Sequence, residues 1–342
     1  MRHQVTLYIP GLLGGGVLEP AFFQALELSE LELCLSRATS RRHPRREFES
    51  SLFNLFDFVD TEAGDLPVAA VTYLADVGRQ SESLCLRADP VNLLPDRDKV
   101  VMFGNRQLSI SMDEAKQLAD AFNELFAEDG LKLETPVANR WYITGDKQGE
   151  ITTEPLRQVI GKDIHRHLPA GEHAMHWHKL LNEVQMLFYS NPVNEARRQR
   201  GLPEINSVWL WGEGDLPVLP EARWQYLWSN ESISSALAQI SGTPWATLPA
   251  SADDWLEQAN QAGSHLVVIE AADDALQQQD IQRWRDMLQS INDDWLVPLI
   301  DALNSNRIDC VRLLTIQQEY VITAKSLKRW WKRRRPLAVL AK

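Results

Sequence analysis

The sequence predicts an α/β protein in which helices cover both faces of a mostly parallel sheet, with an α+β subdomain inserted into it. Apolar, β-rich runs such as VTLYI, HLVVIEA and IDCVRLLTI alternate with helical stretches near both ends of the chain, as in parallel sheets. From about Ser83 the pattern changes to short strands around one helix. The 342 residues, 44% of them hydrophobic, suffice for one large domain or two fused ones.

The predicted boundaries give three segments. Residues 1–82 form the first part of the α/β core, 83–190 the inserted α+β subdomain, and 191–342 the second part of the core with a basic C-terminal segment. VTLYI stops at Pro10 and Gly11, as a buried strand does. Helical periodicity over residues 173–190 ends at Asn191-Pro192, because the residue before a proline disfavours helix.

Local sequence signals predict several individual helices, strands and turns. SMDEAKQLADAFNELFAEDG (111–130) predicts a helix, with Ser111 and Glu114 as a capping box and Gly130 at the end. LPVAAVTYLAD (66–76) is a further predicted helix, while QLSI (107–110) and NSVWLWG (206–212) are predicted strands, the latter in the core. GLLGGG (11–16) lacks the lysine and hydroxyl of a phosphate loop and predicts a tight turn.

Charge and composition exclude several classes. The net charge of −12 gives no general attraction to nucleic acid or anionic membranes. Three cysteines without CxxC spacing argue against a disulfide framework or zinc knuckle and fit a reducing compartment. No apolar run approaches the roughly 18 residues of a spanning helix. We therefore expect a cytoplasmic protein without a membrane partner.

The stretch NPVNEARRQRGLPEINSVWLWGEG (191–214) holds the candidate ligand-binding residues Asn194, Arg197, Arg198 and Asn206. Guanidinium groups match phosphate and carboxylate oxygens, and asparagine amides complete such a shell. We expect these residues where the chain returns to the core, since clefts form between subdomains. The alternative, a basic loop that only supports the fold, stays open.

Two further groups carry chemistry. His173, His176 and His178 cluster before Glu183 and could bind manganese or zinc, but helix positions two apart face different ways, which favours a solvated helix end and no cofactor. KSLKRWWKRRR (325–335) places seven basic residues around two tryptophans. Without an RNA-binding motif, docking on the protein itself or an exposed helix is favoured over binding to nucleic acid.

One pattern resembles a known family. Asn194, Arg197, Gly201 and Asn206, then VWLWG, resemble the segment that closes the inserted domain in archaeal-type cofactor-independent phosphoglycerate mutases. HLVVIEAADDALQQQD is similar to that family's strand and D-E-A-G-H loop, with Asp273 and Asp274 in place. RADPVNL, RWYIT and LLNEVQM are similar to a bacterial phosphoglycerate-mutase-like, RpfE-type regulatory subgroup. The resemblance implies an alkaline-phosphatase-like core with an insert.

The departures concern the catalytic machinery that the resemblance implies, namely two divalent metals and a Ser or Thr nucleophile. Pro10 and Gly11 stand where the first strand would end in an aspartate ligand, and Gln277 stands where a histidine would follow Asp273. Glutamines in LLTIQQEYV replace a late Asp-His pair. The expected function is regulation through a small phosphorylated or acidic ligand or a protein partner, with unknown catalytic residues.

The alternative is an active, metal-dependent mutase or phosphatase. Its manganese or zinc would be held by Asp273, Asp274, His176 and His178.

Overall fold

The computed structural model describes residues 3–14, 18, 20–23, 26–44, 46–58, 65–146, 148–218, 220–259 and 262–341. The chain divides into two compact units, the first being Met1–Val59 with Leu219–Lys342 and the second Asp60–Val218. The second unit is longer at both ends than the predicted insertion, 83–190. Gly15 and Gly16 of the predicted glycine turn lie outside the described residues.

The strands of the described residues follow in chain order. They are β1 (His3–Tyr8), β2 (Thr39–Arg42), β3 (Leu84–Asp96), β4 (Lys99–Phe103), β5 (Leu131–Val137), β6 (Arg140–Gly145), β7 (Ser207–Trp211), β8 (Tyr226–Trp228), β9 (Trp245–Ala246), β10 (Ser264–Val268), β11 (Ile308–Leu314) and β12 (Gln318–Ile322).

The helices of the same residues are α1 (Ser29–Arg37), α2 (Phe48–Leu55), α3 (Val68–Val77), α4 (Met112–Leu125), α5 (Leu156–Val159), α6 (Ala174–Tyr189), α7 (Pro192–Gln199), α8 (Ser232–Ser241), α9 (Ala252–Gln258), α10 (Ala271–Gln277), α11 (Ile281–Ser290), α12 (Val297–Asn304), α13 (Ala324–Leu327) and α14 (Leu337–Leu340). Short 3-10 turns occur at Pro20–Phe23, Asn105–Gln107 and Ile164–Arg166, and a π-helical turn, Ile291–Leu296, joins α11 to α12. No helix among the described residues is long and apolar enough to cross a membrane.

The first unit is built on a mixed sheet with the strand order β2-β12-β11-β1-β10-β8-β9. Strand β1 pairs in parallel with β10 and β11, β10 with β8, and β8 with β9. Strands β12 and β2 complete one side in antiparallel fashion. The predicted α/β class is confirmed, and the sheet of this unit is mostly parallel.

The two faces of this sheet have different partners. Val5 and Leu7 belong to the main apolar core, together with buried side chains from α1 and α9–α12. Because side chains alternate along a strand, Thr6 and Tyr8 face the other side. There the Tyr8 ring stacks on Phe48 of α2, with the ring centroids 6.0 Å apart.

The second unit contains an antiparallel sheet centred on β3. The first half of β3 pairs with β6 and β7, and its second half pairs with β4. The prediction that NSVWLWG is a core strand is wrong, because β7 pairs with β3 from Arg87↔Trp211 to Val91↔Ser207. All of β7 is buried, and such an apolar run suits an inner strand of either sheet.

Most predicted helices are confirmed, and α4 has the predicted cap. The Ser111 side chain accepts a hydrogen bond from the Glu114 N–H, and the Glu114 carboxylate accepts one from the Ser111 N–H at 2.9 Å. The predicted strand QLSI is wrong: its first residue ends the 3-10 turn, the rest has irregular backbone, and Ser109 has a φ of 48°.

The three cysteines agree with the prediction from their spacing. Cys34, Cys85 and Cys310 are all free. Burial raises the pKa of the Cys34 and Cys85 thiols to about 12, so both stay protonated at neutral pH.

The end of β1 yields the first prediction. A Cβ at Gly11 (φ +77°) would lie 2.7 Å from the backbone N and Cα of Asp273, whereas one at Gly242 (φ +71°) meets nothing within 4 Å. We expect Gly242→Ala to cost about 1 kcal/mol of unfolding free energy, and Gly11→Ala roughly 3 kcal/mol or more, because overpacking is added to the dihedral strain. Urea denaturation measures both, and equal losses would contradict the close packing.

Candidate functional site

Two of the predicted ligand-binding side chains use their polar atoms inside the second unit. Asn194 is fully buried; its Nδ2 donates to the carbonyls of Phe188 and Ile205, each at 2.8 Å, and its Oδ1 accepts from the Ile205 N–H. Arg197 is equally buried: its Nε donates to the Pro203 carbonyl at 2.7 Å. These contacts favour the structural alternative for both residues.

The guanidinium of Arg197 also holds α7 to α4. Its Nη1 lies 3.1 Å from Glu114 Oε2, and its Nη2 donates to the Leu108 carbonyl. Burial alone would raise the pKa of Glu114, but the Ser111 N–H together with Arg200 and Arg197 outweighs it and lowers that pKa. The stability that this lowering contributes is present above the ordinary glutamate pKa and is lost as pH falls through the lowered value.

The remaining two candidates make local contacts in the same unit. Asn206 donates to the Leu93 carbonyl at 2.9 Å and accepts from the Leu93 N–H at 2.7 Å, so it fastens the start of β7 to β3. Arg198 is half-exposed and pairs with Glu195 at 2.8 Å and Glu204 at 3.1 Å. The four residues thus stabilise the connection between α7 and β7.

The metal candidates are distributed over both units. His178 Nε2 lies 2.8 Å from the Pro169 carbonyl, and the His176 ring packs edge-on against Trp177. Asp273, in the first unit, accepts a hydrogen bond from Gln277 Nε2 at 2.9 Å. Among the described residues no three His, Cys, Asp or Glu side chains are grouped to hold a metal ion.

The residues at the expected metal positions do not fit a two-metal centre. Pro10 supplies no donor side chain, and the amide of Gln277 donates to Asp273 where a ligand would have to bind a cation. Beyond β11, the Thr315 Oγ1 accepts the N–H groups of Gln317 and Gln318 and so closes a turn. Neutral amides are poor replacements for carboxylate and imidazole ligands.

The C-terminal basic segment is anchored to the first unit. Arg37 donates to the Leu327 carbonyl at 2.7 Å, and Arg329 donates back to the Arg37 carbonyl at 3.1 Å. The Leu337 N–H donates to Glu32. These contacts favour the predicted docking of this segment on the protein itself.

A basic cavity, here called the sheet-face pocket, lies on the face of the first unit's sheet that carries Thr6 and Tyr8. Its volume is about 330 Å³. Strands β1, β2, β11 and β12 form its floor. Their registers align Thr6 with Arg312, Tyr8 with Leu314, and Glu319 with both Leu314 and Arg41. Other lining residues come from α2 and the flanking loops: His43, Arg46, Ser51, Asn54, Leu55, Arg223, Trp224 and Thr315.

The sheet-face pocket is positively charged within an acidic protein. It is lined by four arginines and one carboxylate, Glu319. Arg312 lies 3.5 Å from Glu319, and Arg223 is paired with Asp57 at 2.7 Å. Arg46 donates to the Asn54 amide oxygen. The backbone of Arg41 belongs to the β2–β12 ladder, but its side chain has neither a hydrogen bond nor an ion pair within the described part of the chain, so its guanidinium is available to an anion.

The shape and polar lining of the sheet-face pocket suit a small anionic ligand. Its volume falls at the lower end for small-molecule sites. Trp224 is nearly buried, donates to the Leu55 carbonyl at 2.7 Å, and carries the Arg223 guanidinium over its ring at 5.0 Å. Arginines fixed in this way present planar donors for phosphate or carboxylate oxygens. Sequence patterns did not indicate this site, because its arginines lie in separate segments.

The sequence comparisons agree with the predicted resemblance. No family model matches the chain. A probable 2,3-bisphosphoglycerate-independent phosphoglycerate mutase of Geobacter sulfurreducens is 30% identical over 156 residues, which cover 45% of this chain and 38% of the relative. The corresponding mutase of Methanosarcina barkeri is 26% identical over 175 residues, covering 51% and 42%. The chain thus spans about two fifths of these curated relatives.

One solved structure extends the similarity to nearly the whole fold. The PH0037 protein from Pyrococcus horikoshii aligns over 99% of this chain and 92% of its own, with a TM-score of 0.60 and 12% identity. At that identity the match concerns the fold alone.

The contacts of Arg197 generate a prediction about stability. We expect Arg197→Ala to lower the unfolding free energy by roughly 3–5 kcal/mol, because it removes one partner of a buried ion pair and two hydrogen bonds to backbone carbonyls. The neighbouring half-exposed Arg198→Ala is the matched control, with little change in the denaturation midpoint. An Arg197→Ala protein as stable as the wild type would contradict the structural role.

Proposed function

Because the chain is related in sequence to the cofactor-independent phosphoglycerate mutases, we propose that it is a member of that lineage which has lost two-metal catalysis. It binds a small phosphorylated or acidic ligand and acts as a regulatory protein of the cytoplasm. In this proposal the first unit corresponds to an alkaline-phosphatase-like core and the second to its insert.

The proposed loss of catalysis is supported by the residues that follow strands β1, β10 and β11. Two-metal phosphoryl transfer needs charged ligands that stabilise both the attacking and the leaving oxygen. Here β1 leads into Pro10, Asp273 is bonded to an amide, and the turn after β11 is closed by backbone contacts to Thr315.

The binding part is carried by one observation, the sheet-face pocket with four arginines against a single carboxylate. A protein of net charge −12 has no general attraction for anions, so this local excess of cations is a specific feature. Arg41 and Arg46 have no carboxylate partner among the described residues. They are the residues that we expect to contact the ligand first.

Binding of 3-phosphoglycerate, measured by isothermal titration calorimetry, tests the site. We expect Arg41→Ala to weaken binding about tenfold or more, since a hydrogen bond to a charged group contributes roughly 1.5–3 kcal/mol. The double variant Arg41→Ala/Arg46→Ala should lose most of the remaining affinity. Inorganic phosphate and glycerate titrations show which end of the ligand the arginines hold.

The matched control is Arg283→Ala, which removes an exposed arginine of the first unit outside the pocket. Its affinity should equal that of the wild type. Unchanged binding by the Arg41 variant would refute the assignment of the pocket. A folded wild-type protein that binds none of the three probes would refute the ligand class.

A further inference from the structure

A second basic cavity lies at the edge of the first unit, and the proposed function does not account for it. This edge pocket has a volume of about 610 Å³, and the residues that define it chemically are Arg42, Tyr320, Trp331, Lys332, Arg333 and Arg335. The edge pocket lies on the opposite face of strands β2 and β12 from the sheet-face pocket. Arg42 is aligned with Gln318, and Ser40 with Tyr320, whereas Arg41 and Glu319 face the sheet-face pocket.

The outer wall of the edge pocket is a fixed part of the fold. Lys332 Nζ donates to the Ala38 carbonyl at 3.1 Å, and the Arg335 N–H donates to Ser36 Oγ at 2.9 Å. The Lys332 carbonyl also accepts a long hydrogen bond, at 3.5 Å, from Arg37 Nε. The residues from 331 to 335 therefore stand in a defined position beside α1, and the cavity exists before any ligand binds.

The charge of the edge pocket has one sign. Four cationic side chains line it, and among its described lining residues there is no Asp or Glu. Arg333 has neither a hydrogen bond nor an ion pair with the described residues. A guanidinium group without such a partner, as at Arg333, favours a phosphate or another strongly anionic group.

An aromatic and aliphatic wall stands beside these cations. The side chain of Trp331 is 64% exposed, and Leu35, Val339 and Leu340 line the same cavity. An inorganic anion or a short carboxylic acid gains nothing from an indole face, whereas a nucleobase stacks on it. The volume is within the range of small-molecule sites.

We infer that the edge pocket binds a nucleoside phosphate, with the base against Trp331 and the phosphate at Arg333 and Arg335. The same chemistry is offered by a free nucleotide and by the end of a single strand. This site is separate from the sheet-face pocket, so either can fail without the other.

Calorimetric titration with AMP tests the inference, with adenosine, ribose 5-phosphate and a short oligoadenylate as comparison probes. AMP should bind more tightly than adenosine or ribose 5-phosphate, because only AMP uses both the indole and the guanidinium groups. Trp331→Ala should weaken AMP binding at least roughly fivefold, as expected for loss of one stacked base. Arg333→Ala should weaken AMP binding more than adenosine binding.

The chain offers matched controls. Trp330 is 78% exposed and touches Trp331 edge-on, yet it does not line the cavity, so Trp330→Ala should bind AMP normally. Lys325→Ala, which lies outside the edge pocket, should also leave AMP affinity unchanged. Circular dichroism confirms that each variant is folded.

Several results would overturn the inference. These are no AMP binding, equal affinity for AMP and ribose 5-phosphate, or a loss of AMP affinity in Trp330→Ala or Lys325→Ala as large as in Trp331→Ala. With the expected variant pattern, tighter binding of AMP than of oligoadenylate supports a free nucleotide, and the reverse supports a strand end.

Discussion

The close approach of Gly11 to the first turn of α10 is the contact on which the first unit depends. Strand β1 lies between β10 and β11, and the chain must leave the sheet where α10 begins. A side chain at Gly11 would meet the backbone of Asp273 at 2.7 Å. The Gly11 carbonyl accepts a hydrogen bond from the Trp284 indole at 2.9 Å, which joins α11 to the same turn.

This packing has a chemical consequence at the end of β1. The position before Gly11 is a proline, and the nearby Asp273 is bonded to the Gln277 amide. Neither Pro10 nor the neutral Gln277 amide is a charged ligand of the kind that a two-metal reaction uses. The first unit carries positive charge on its edge strand β2, whose alternate residues face opposite sides of the sheet. Arg41 lines one cavity and Arg42 the other.

Local signals in the sequence predicted local structure well. The capping box of α4 and the apolar run of β1 involve neighbouring residues, so their meaning is independent of the rest of the chain. The location of β7 was mispredicted because a wholly buried strand fits more than one sheet, and its partner β3 lies over a hundred residues earlier.

The site was harder to predict for a related reason. In a sequence, an arginine near an asparagine gives the same pattern whether the two bind a ligand or stabilise the fold. For Arg197, the contacts with Leu108 and Glu114 favour a role in stabilising the fold. The sheet-face pocket joins Arg41, Arg223 and Arg312 from three distant segments. The basic run TSRRHPRRE was visible in the sequence, but only the strand pairing places it beside β12 and on the same sheet as β11.

The measurement that tests the account most directly is the interconversion of 3- and 2-phosphoglycerate by the folded protein, with manganese or zinc added and with a metal-stripped sample as the control. A sample that binds 3-phosphoglycerate in calorimetry should show no metal-dependent turnover above that control. Metal-dependent interconversion would contradict the proposed loss of catalysis and would make the protein an active mutase with ligands other than those discussed above.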